Sequence, residues 1–274
     1  MFEGCWIYTL TYNCKDMAPH FWYHHRKADR IIVYDNGSTD GTPDYFEGRP
    51  NVEVRHYHGS TDHKLRDDIH AEIKNTCWKE AIGKADWVVV MDFDEFLYHP
   101  KLDEKLAEYK KDGVSIPLAS AYEMIAPLFP AAPVYLTDVV KFGRRNDLYS
   151  KLIIFDPNKV QNISYGPGGH NARPTGEIKF SGTPYWGTVP VPPYPPLIVQ
   201  RFNDNGNWPP PYDLKILHYR FVGLDRVEKM WAQYKTRMSK ENMTHGWGRH
   251  YFLPKEEQER IYSLLESQAE RVVE

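Results

Sequence analysis

Two acidic stretches of the 274-residue chain have the residue types and spacing to do chemistry. The first is Asp92-Phe93-Asp94-Glu95-Phe96, directly behind the apolar run Trp87 to Met91. Two carboxylates one residue apart at a strand end can point to the same side. They then offer hard oxygen ligands to Mg²⁺ or Mn²⁺ and leave positions for phosphate oxygens. A solvated acidic turn is the alternative, but five apolar residues before the pair argue for a buried strand, past whose end open α/β sheets bind ligands. The second stretch is Asp35-Asn36-Gly37-Ser38-Thr39-Asp40-Gly41-Thr42, behind Arg30 to Tyr34. An aspartate at such an edge can accept a hydrogen bond from the N–H of a nucleobase, and Gly37 and Gly41 permit positive φ and close backbone approach. Asn-Gly and Asp-Gly alone are ordinary turn signals. Two acidic strand ends together carry more weight than either.

The elements that must position these residues follow a strand-then-helix rhythm. Cys5 to Leu10, Arg30 to Tyr34, Val52 to Val54 and Trp87 to Met91 read as strands, and their continuous apolar character predicts a parallel sheet buried on both faces. Between the last two, Ile69, Ile73, Cys77 and Ala81 recur every fourth residue and predict a helix from about Asp68 to Ile82. Beyond Pro117 the pattern is strand- and loop-rich, with an apparent strand at Lys151 to Phe155 and a glycine-rich turn at Gly166 to Gly169. Prolines crowd Pro184 to Pro211, which excludes a helix there and points to a long loop or lid. Two helices close the chain: one carries Val227, Trp231, Tyr234 and Met238 behind an Asp225 cap, the other Ile261, Leu264, Leu265 and Val272 behind Pro254. The organisation expected is one catalytic domain over 1–274, with a strand-and-helix half (1–115), a strand- and loop-rich half with the proline-rich loop (116–223) and C-terminal helices (224–274).

Composition narrows the partners. Lys and Arg number 34 against 37 Asp and Glu, so a net charge of −3 gives no general attraction to nucleic acid or anionic membrane. No apolar run approaches the roughly 20 residues of a membrane span, and no export signal is evident, which predicts a cytoplasmic protein. Cys5, Cys14 and Cys77, an odd number without metal spacing, suit free thiols.

On its Tyr34-Asp35-Asn36 turn and its D-x-D-E-F motif, the chain resembles glycosyltransferase family 2 with the GT-A fold, over roughly residues 5 to 100. The resemblance implies an α/β, Rossmann-like, mostly parallel sheet flanked by helices. It also implies a metal-dependent transferase moving a sugar from a nucleotide sugar, UDP-sugar favoured, to an acceptor hydroxyl. Thr9, Thr11 and Tyr12 would then line the nucleotide pocket with Asp35 and Asn36, Asp92 would face ribose or metal, and Asp94 would face the metal. Leu217-His218-Tyr219 resembles the late His-Tyr element that returns a histidine to the Mn²⁺ or Mg²⁺. Gly166 to His170 resembles a glycine-histidine element, with His170 contacting a sugar; the residues themselves read as a hairpin turn. His24 or His25 also matches a histidine position, against a plain packing role.

Lys64 and Arg66, between the third strand and the long helix, could reach the donor phosphates. Glu95 is expected to be structural. No short acidic motif marks the catalytic base; Glu123, Asp138 and Asp147 are candidates, with Glu123 preferred because it follows an apparent strand Val114 to Leu118. Displacement by a base-activated hydroxyl would invert the sugar. The acceptor, whether glycan, lipid-linked sugar, protein or nucleic acid, stays open; Trp186, Tyr194, Trp208 and Tyr212 could stack on it, and Lys141, Arg144, Arg145 and Lys151 form a local basic cluster. An Asp-x-Asp phosphatase normally continues with Thr or Val where Phe96 stands. A nucleotidyltransferase would need a glycine-rich basic loop after strand one, and a carbohydrate-binding module has no use for two acidic strand ends.

Overall fold

The apolar runs form strands buried on both faces. In the computed structural model, which describes residues 2–57, 64–184 and 210–274, β1 (Cys5–Thr11), β2 (Arg30–Asp35), β3 (Val52–His56) and β4 (Trp87–Asp92) are parallel, in the order β3-β2-β1-β4. Along β4, Trp87, Val89 and Met91 enter one apolar cluster with Ile7 and Val33, while Val88 and Val90 enter another with Tyr8 and Trp78. Two packed faces are why these strands are continuously apolar instead of alternating. Register sets Thr11 beside Asp35 and Leu10 beside Asp92, so three strands end along one edge.

Helices Ala18–His25 and Asp67–Thr76 cross between these strands. The spacing predicted a single helix to Ile82, but the α-helix stops at Thr76 and a 3₁₀ turn, Cys77–Ala81, carries on. The Thr76 hydroxyl bonds back to the Glu72 carbonyl, a contact that competes with regular helix bonding.

Further along come β5 (Glu95–Tyr98), β6 (Ala119–Ala126) and β7 (Phe142–Arg145). A short β8 (Ile154–Phe155) returns antiparallel to β4, and β9 (Val160–Tyr165) pairs with β10 (Ala172–Gly176) as a hairpin. With β11 (Leu214–Val222) and β12 (Glu270–Arg271), a second sheet has the order β12-β7-β6-β11-β5. The two sheets share a core in which Ile7 and Met91 cluster with Ala119, Leu214 and Ile216. The fold is mixed α/β with a largely parallel central sheet flanked by helices. Its halves interlock: β5 crosses from the first stretch into the second sheet, and β8 crosses back.

Three local expectations change. Val114 to Leu118 is not a strand; β6 begins at Ala119, so Glu123 lies inside it. The helix Leu224–Arg237 is preceded by Gly223 at φ 79°, where only glycine is at ease, and Asp225 lies in its first turn instead of capping it. Val272 falls beyond the helix Lys255–Ser267, buried behind β12. Trp186, Tyr194, Trp208 and most of the proline-rich run lie outside the described residues. All three cysteines are free, and no described helix is long and apolar enough to cross a membrane.

Candidate active site

Asp92 closes β4, and Asp94 sits in the two-residue turn before β5. That turn sends the two carboxylates to different partners. Lys74 Nζ lies 2.5 Å from one Asp92 oxygen and Lys151 Nζ 2.6 Å from the other, whereas Asp94 Oδ2 faces His218 Nε2 at 3.4 Å. The single two-carboxylate cradle expected of an unbroken strand is therefore replaced by two adjoining groups.

The second sheet builds the Asp94 group. His218 on β11 is in register with Glu95 on β5 and Glu123 on β6, so three ionisable side chains stand in a row across three strands. His218 Nδ1 lies 3.0 Å from Glu123 Oε2, and Arg220, two residues along β11, donates to Glu123 Oε1 at 2.9 Å. Lys151 reaches Glu95 at 2.6 Å. Glu95 and Glu123 are fully buried, which is tolerable only because each has a cation.

The charges settle accordingly. Burial alone would raise the pKa of Asp94, but the neighbouring His218 brings it down to about 2. His218, which burial would push down, is raised well above its ordinary value by Glu123 and then Asp94. Burial likewise opposes ionisation of Asp92, yet Lys151 and then Lys74 hold it well below the usual carboxylate range.

Asp94 and His218 are the residues that could hold a divalent cation, through one carboxylate oxygen and one imidazole nitrogen, once the ring gives up the proton that Glu123 and Asp94 favour. Glu123, 3.0 Å from Nδ1, stands on the far side of the ring, where outer carboxylates flank metal-bound histidines. Among the described residues no three His, Cys, Asp or Glu side chains converge on one point. The pair would thus make an open site, completed by phosphate oxygens.

The edge around Asp35 is built largely from its own turn. Asp35 accepts from the Gly37 and Ser38 amides at 2.9 and 3.0 Å and from the Ser38 hydroxyl at 2.5 Å. Gly37 and Gly41 have φ of 76° and 84°, the positive values expected of them. Thr9 and Thr11 are buried on one face of β1. Tyr12 and Asn36 meet a residue from the far end of the chain: the Arg237 guanidinium lies 3.4 Å from the Tyr12 ring centroid and donates to Asn36 Oδ1 at 2.6 Å.

Other candidates lie elsewhere. Lys64 donates to the Thr236 carbonyl and Arg66 pairs with Asp68, so the cations standing on the metal-motif carboxylate are Lys74 and Lys151 instead. Glu123, the preferred base candidate, is buried behind His218, 3.0 Å from its Nδ1, and accepts from Arg220. Asp147 is held by Arg145 and Ser150, and Asp138 is exposed on the short helix Leu136–Val139. His170 caps the β9–β10 hairpin, donates to the Leu148 carbonyl and packs edge-on against Tyr149; burial keeps it neutral, with a pKa of about 3. His24 and His25 pack against Phe2 and Phe96. The expected basic cluster disperses: Lys151 is buried in the site, Arg145 pairs with Asp147, and Lys141 reaches the Glu274 carbonyl. Tyr212 donates its hydroxyl to the Thr183 carbonyl.

Sequence reading missed Lys74, Arg220 and Arg237 and did not assign Lys151 to the metal motif. One signal was available: Asp67, His70 and Lys74 fall at i, i+3 and i+7, a polar stripe on a helix read only for its apolar one.

Residues 6–159 match the sequence profile of glycosyl transferase family 2. No curated protein matches the chain. Among solved structures, S. aureus TarS is 14% identical with a TM-score of 0.33, over 57% of this chain and 28% of that one. The mannosyltransferase Ktr4p from S. cerevisiae is 9% identical with a TM-score of 0.30, over 46% and 41%. The chain thus spans less than half the length of either. The family profile, spanning more than half the chain and taking in β1 through β8 with both acidic strand ends, is what places it: the protein belongs to glycosyl transferase family 2.

Proposed function

We propose that the enzyme transfers a sugar from a nucleoside-diphosphate sugar, UDP-sugar favoured, to an acceptor hydroxyl, and that Asp94 and His218 hold a divalent cation, Mn²⁺ or Mg²⁺. The observation that carries this is the Asp94–His218–Glu123 alignment at the ligand-binding edge of a parallel sheet. The cation would supply Lewis-acid stabilisation of the departing diphosphate. Asp94 and His218 hold its place, Glu123 and Arg220 fix the imidazole, and the Asp35 turn with Thr11, Tyr12 and Asn36 forms the wall for the base. A single displacement by the acceptor oxygen inverts the sugar. One imidazole nitrogen among oxygen ligands favours Mn²⁺ over Mg²⁺.

The test is a screen of nucleotide sugars for release of nucleoside diphosphate with Mn²⁺, Mg²⁺ or chelator. Turnover of one donor with metal is expected, and Asp94→Asn should lower it by about a hundredfold or more, the scale of losing a charge aimed at the leaving group. Undiminished turnover in Asp94→Asn would remove the cation from Asp94.

A further inference from the structure

The strand edge orders the donor. The base wall lies at the ends of β1 and β2 and the proposed cation just past β4, so a diphosphate linking the two must pass the end of β4, where Asp92 stands beside Leu10. Asp92 is the open member of that group, its side chain 34% exposed, while Lys74 and Lys151 beneath it are 5% and 4% exposed.

Two nearly buried ammoniums are an unusual provision for one carboxylate. Each ammonium has three donors. The contacts described here use one from Lys74, to Asp92, and two from Lys151, to Asp92 and Glu95. Donors therefore remain beside the open carboxylate. The hairpin turn lies directly over both lysines: a Cβ on Gly169 would sit 3.5 Å from Lys74 Nζ and 3.7 Å from Lys151 Cδ, and Gly169 has φ of 71°. The positive φ suits glycine, and its lack of a Cβ leaves space between the turn and the Lys74 amine and Lys151 stem.

Electrostatics decides what should enter. Asp92, Asp94, Glu95 and Glu123 would together repel a diphosphate, and of the cations answering them, Arg220 and His218 are committed to Glu123 and Asp94. Lys74 and Lys151 are the charges directly beneath the partly exposed Asp92 carboxylate.

We propose that Lys74 and Lys151 bind the donor's diphosphate, sharing their ammonium donors between Asp92 and the phosphate oxygens, so that Asp92 acts as the holder of a phosphate clamp. This rests on the nucleotide-sugar reading above and adds the residues that grip the leaving group. Asp92 holds both amines in place before the ligand arrives, so little reorganisation accompanies binding.

Calorimetry of UDP, UMP and uridine, and of GDP and guanosine, against the full chain tests it with Mn²⁺ and with chelator. In chelator the diphosphate should still bind about tenfold or more tighter than its nucleoside, because the lysines act without metal. Lys74→Gln and Lys151→Gln should each weaken the diphosphate by about ten- to a hundredfold while nucleoside affinity stays level. Lys74→Arg should restore most of the loss. Equal nucleoside and diphosphate affinity in chelator overturns the clamp without any variant, and so does unchanged diphosphate affinity in folded Lys74→Gln. Should Lys151→Gln unfold through its stranded Glu95, the Lys74 variants and the chelator comparison still decide. If the native protein binds no nucleoside diphosphate even with Mn²⁺, the donor reading falls as well; if it does bind with Mn²⁺ and the lysine variants are unaffected, only the clamp falls.

Discussion

The Asp35 turn and the Glu123 row both present buried carboxylates, yet they are assembled in opposite ways. Asp35 accepts its shorter hydrogen bonds from Gly37 and Ser38, within three residues of itself, with His56 of the adjacent strand more distant at 3.3 Å. Glu123 is satisfied by His218 and Arg220, more than ninety residues later. A local carboxylate brings its donors with its own turn and needs the rest of the fold only as a platform. A long-range carboxylate leaves cations unpaired if one strand fails to arrive, so its site and its stability are a single property.

That contrast can be broken by substitution. Glu123→Gln strips the charge that orients His218 and compensates Arg220; a loss of about 3 to 5 kcal/mol in unfolding free energy is expected, with metal affinity about 10- to 100-fold weaker. Chemical denaturation and metal titration read the two together. Loss of metal affinity without loss of stability would show that the row is not part of the framework. Asp35→Ala should cost less, about 1.5 to 3 kcal/mol for the charged hydrogen bonds. It should appear mainly as weaker nucleoside binding, with metal affinity unchanged. A collapse as large as that of Glu123→Gln would erase the distinction between the two regions.

The smallest effect concerns the seam between them, where His24 on the helix after β1 bonds the Leu97 carbonyl of β5. Burial lowers its pKa to about 4, so the unfolded chain takes up a proton first as pH falls. The stability held by the neutral ring is therefore full above about pH 6.5 and is lost as pH drops from there toward 4, amounting to about 1 to 2 kcal/mol near pH 5. Replacing His24 with Phe should flatten the slope of unfolding free energy between pH 7 and 5. An unchanged slope would assign the acid sensitivity elsewhere.

The same contrast explains what the sequence made legible. β1, β2 and β4 and the Asp35 turn declare themselves through contiguous residues, because strand burial and turn geometry are local. His218 was placed near Asp94 by family likeness alone; its register with Glu95 and Glu123 depends on strand pairing that no spacing encodes. Glu123 was read as an exposed base because the strand was placed five residues early, and in β6 it faces inward. Lys151 was grouped with Lys141, Arg144 and Arg145 by adjacency, although the turn after β7 sends it inward. Lys74 was hidden by attention to Ile69 and Ile73, for a helix between a core and a cleft has two faces with a purpose. Arg237 gave no local sign of its contact with Tyr12.

The position of β11 in the chain also orders how the enzyme is made. While the polypeptide leaves the ribosome, the parallel sheet, the Asp35 turn and Asp94 have all emerged long before Leu214. Until β11 inserts between β5 and β6, Asp94 has no imidazole opposite it and Glu123 has neither of its cations. Insertion of one late strand completes the Asp94–His218 pair and brings Glu123 its cations in the same event. The same late strand closes the core that Ile7 and Met91 share with Leu214 and Ile216, so the acidic strand ends gain their packing and their charge partners together.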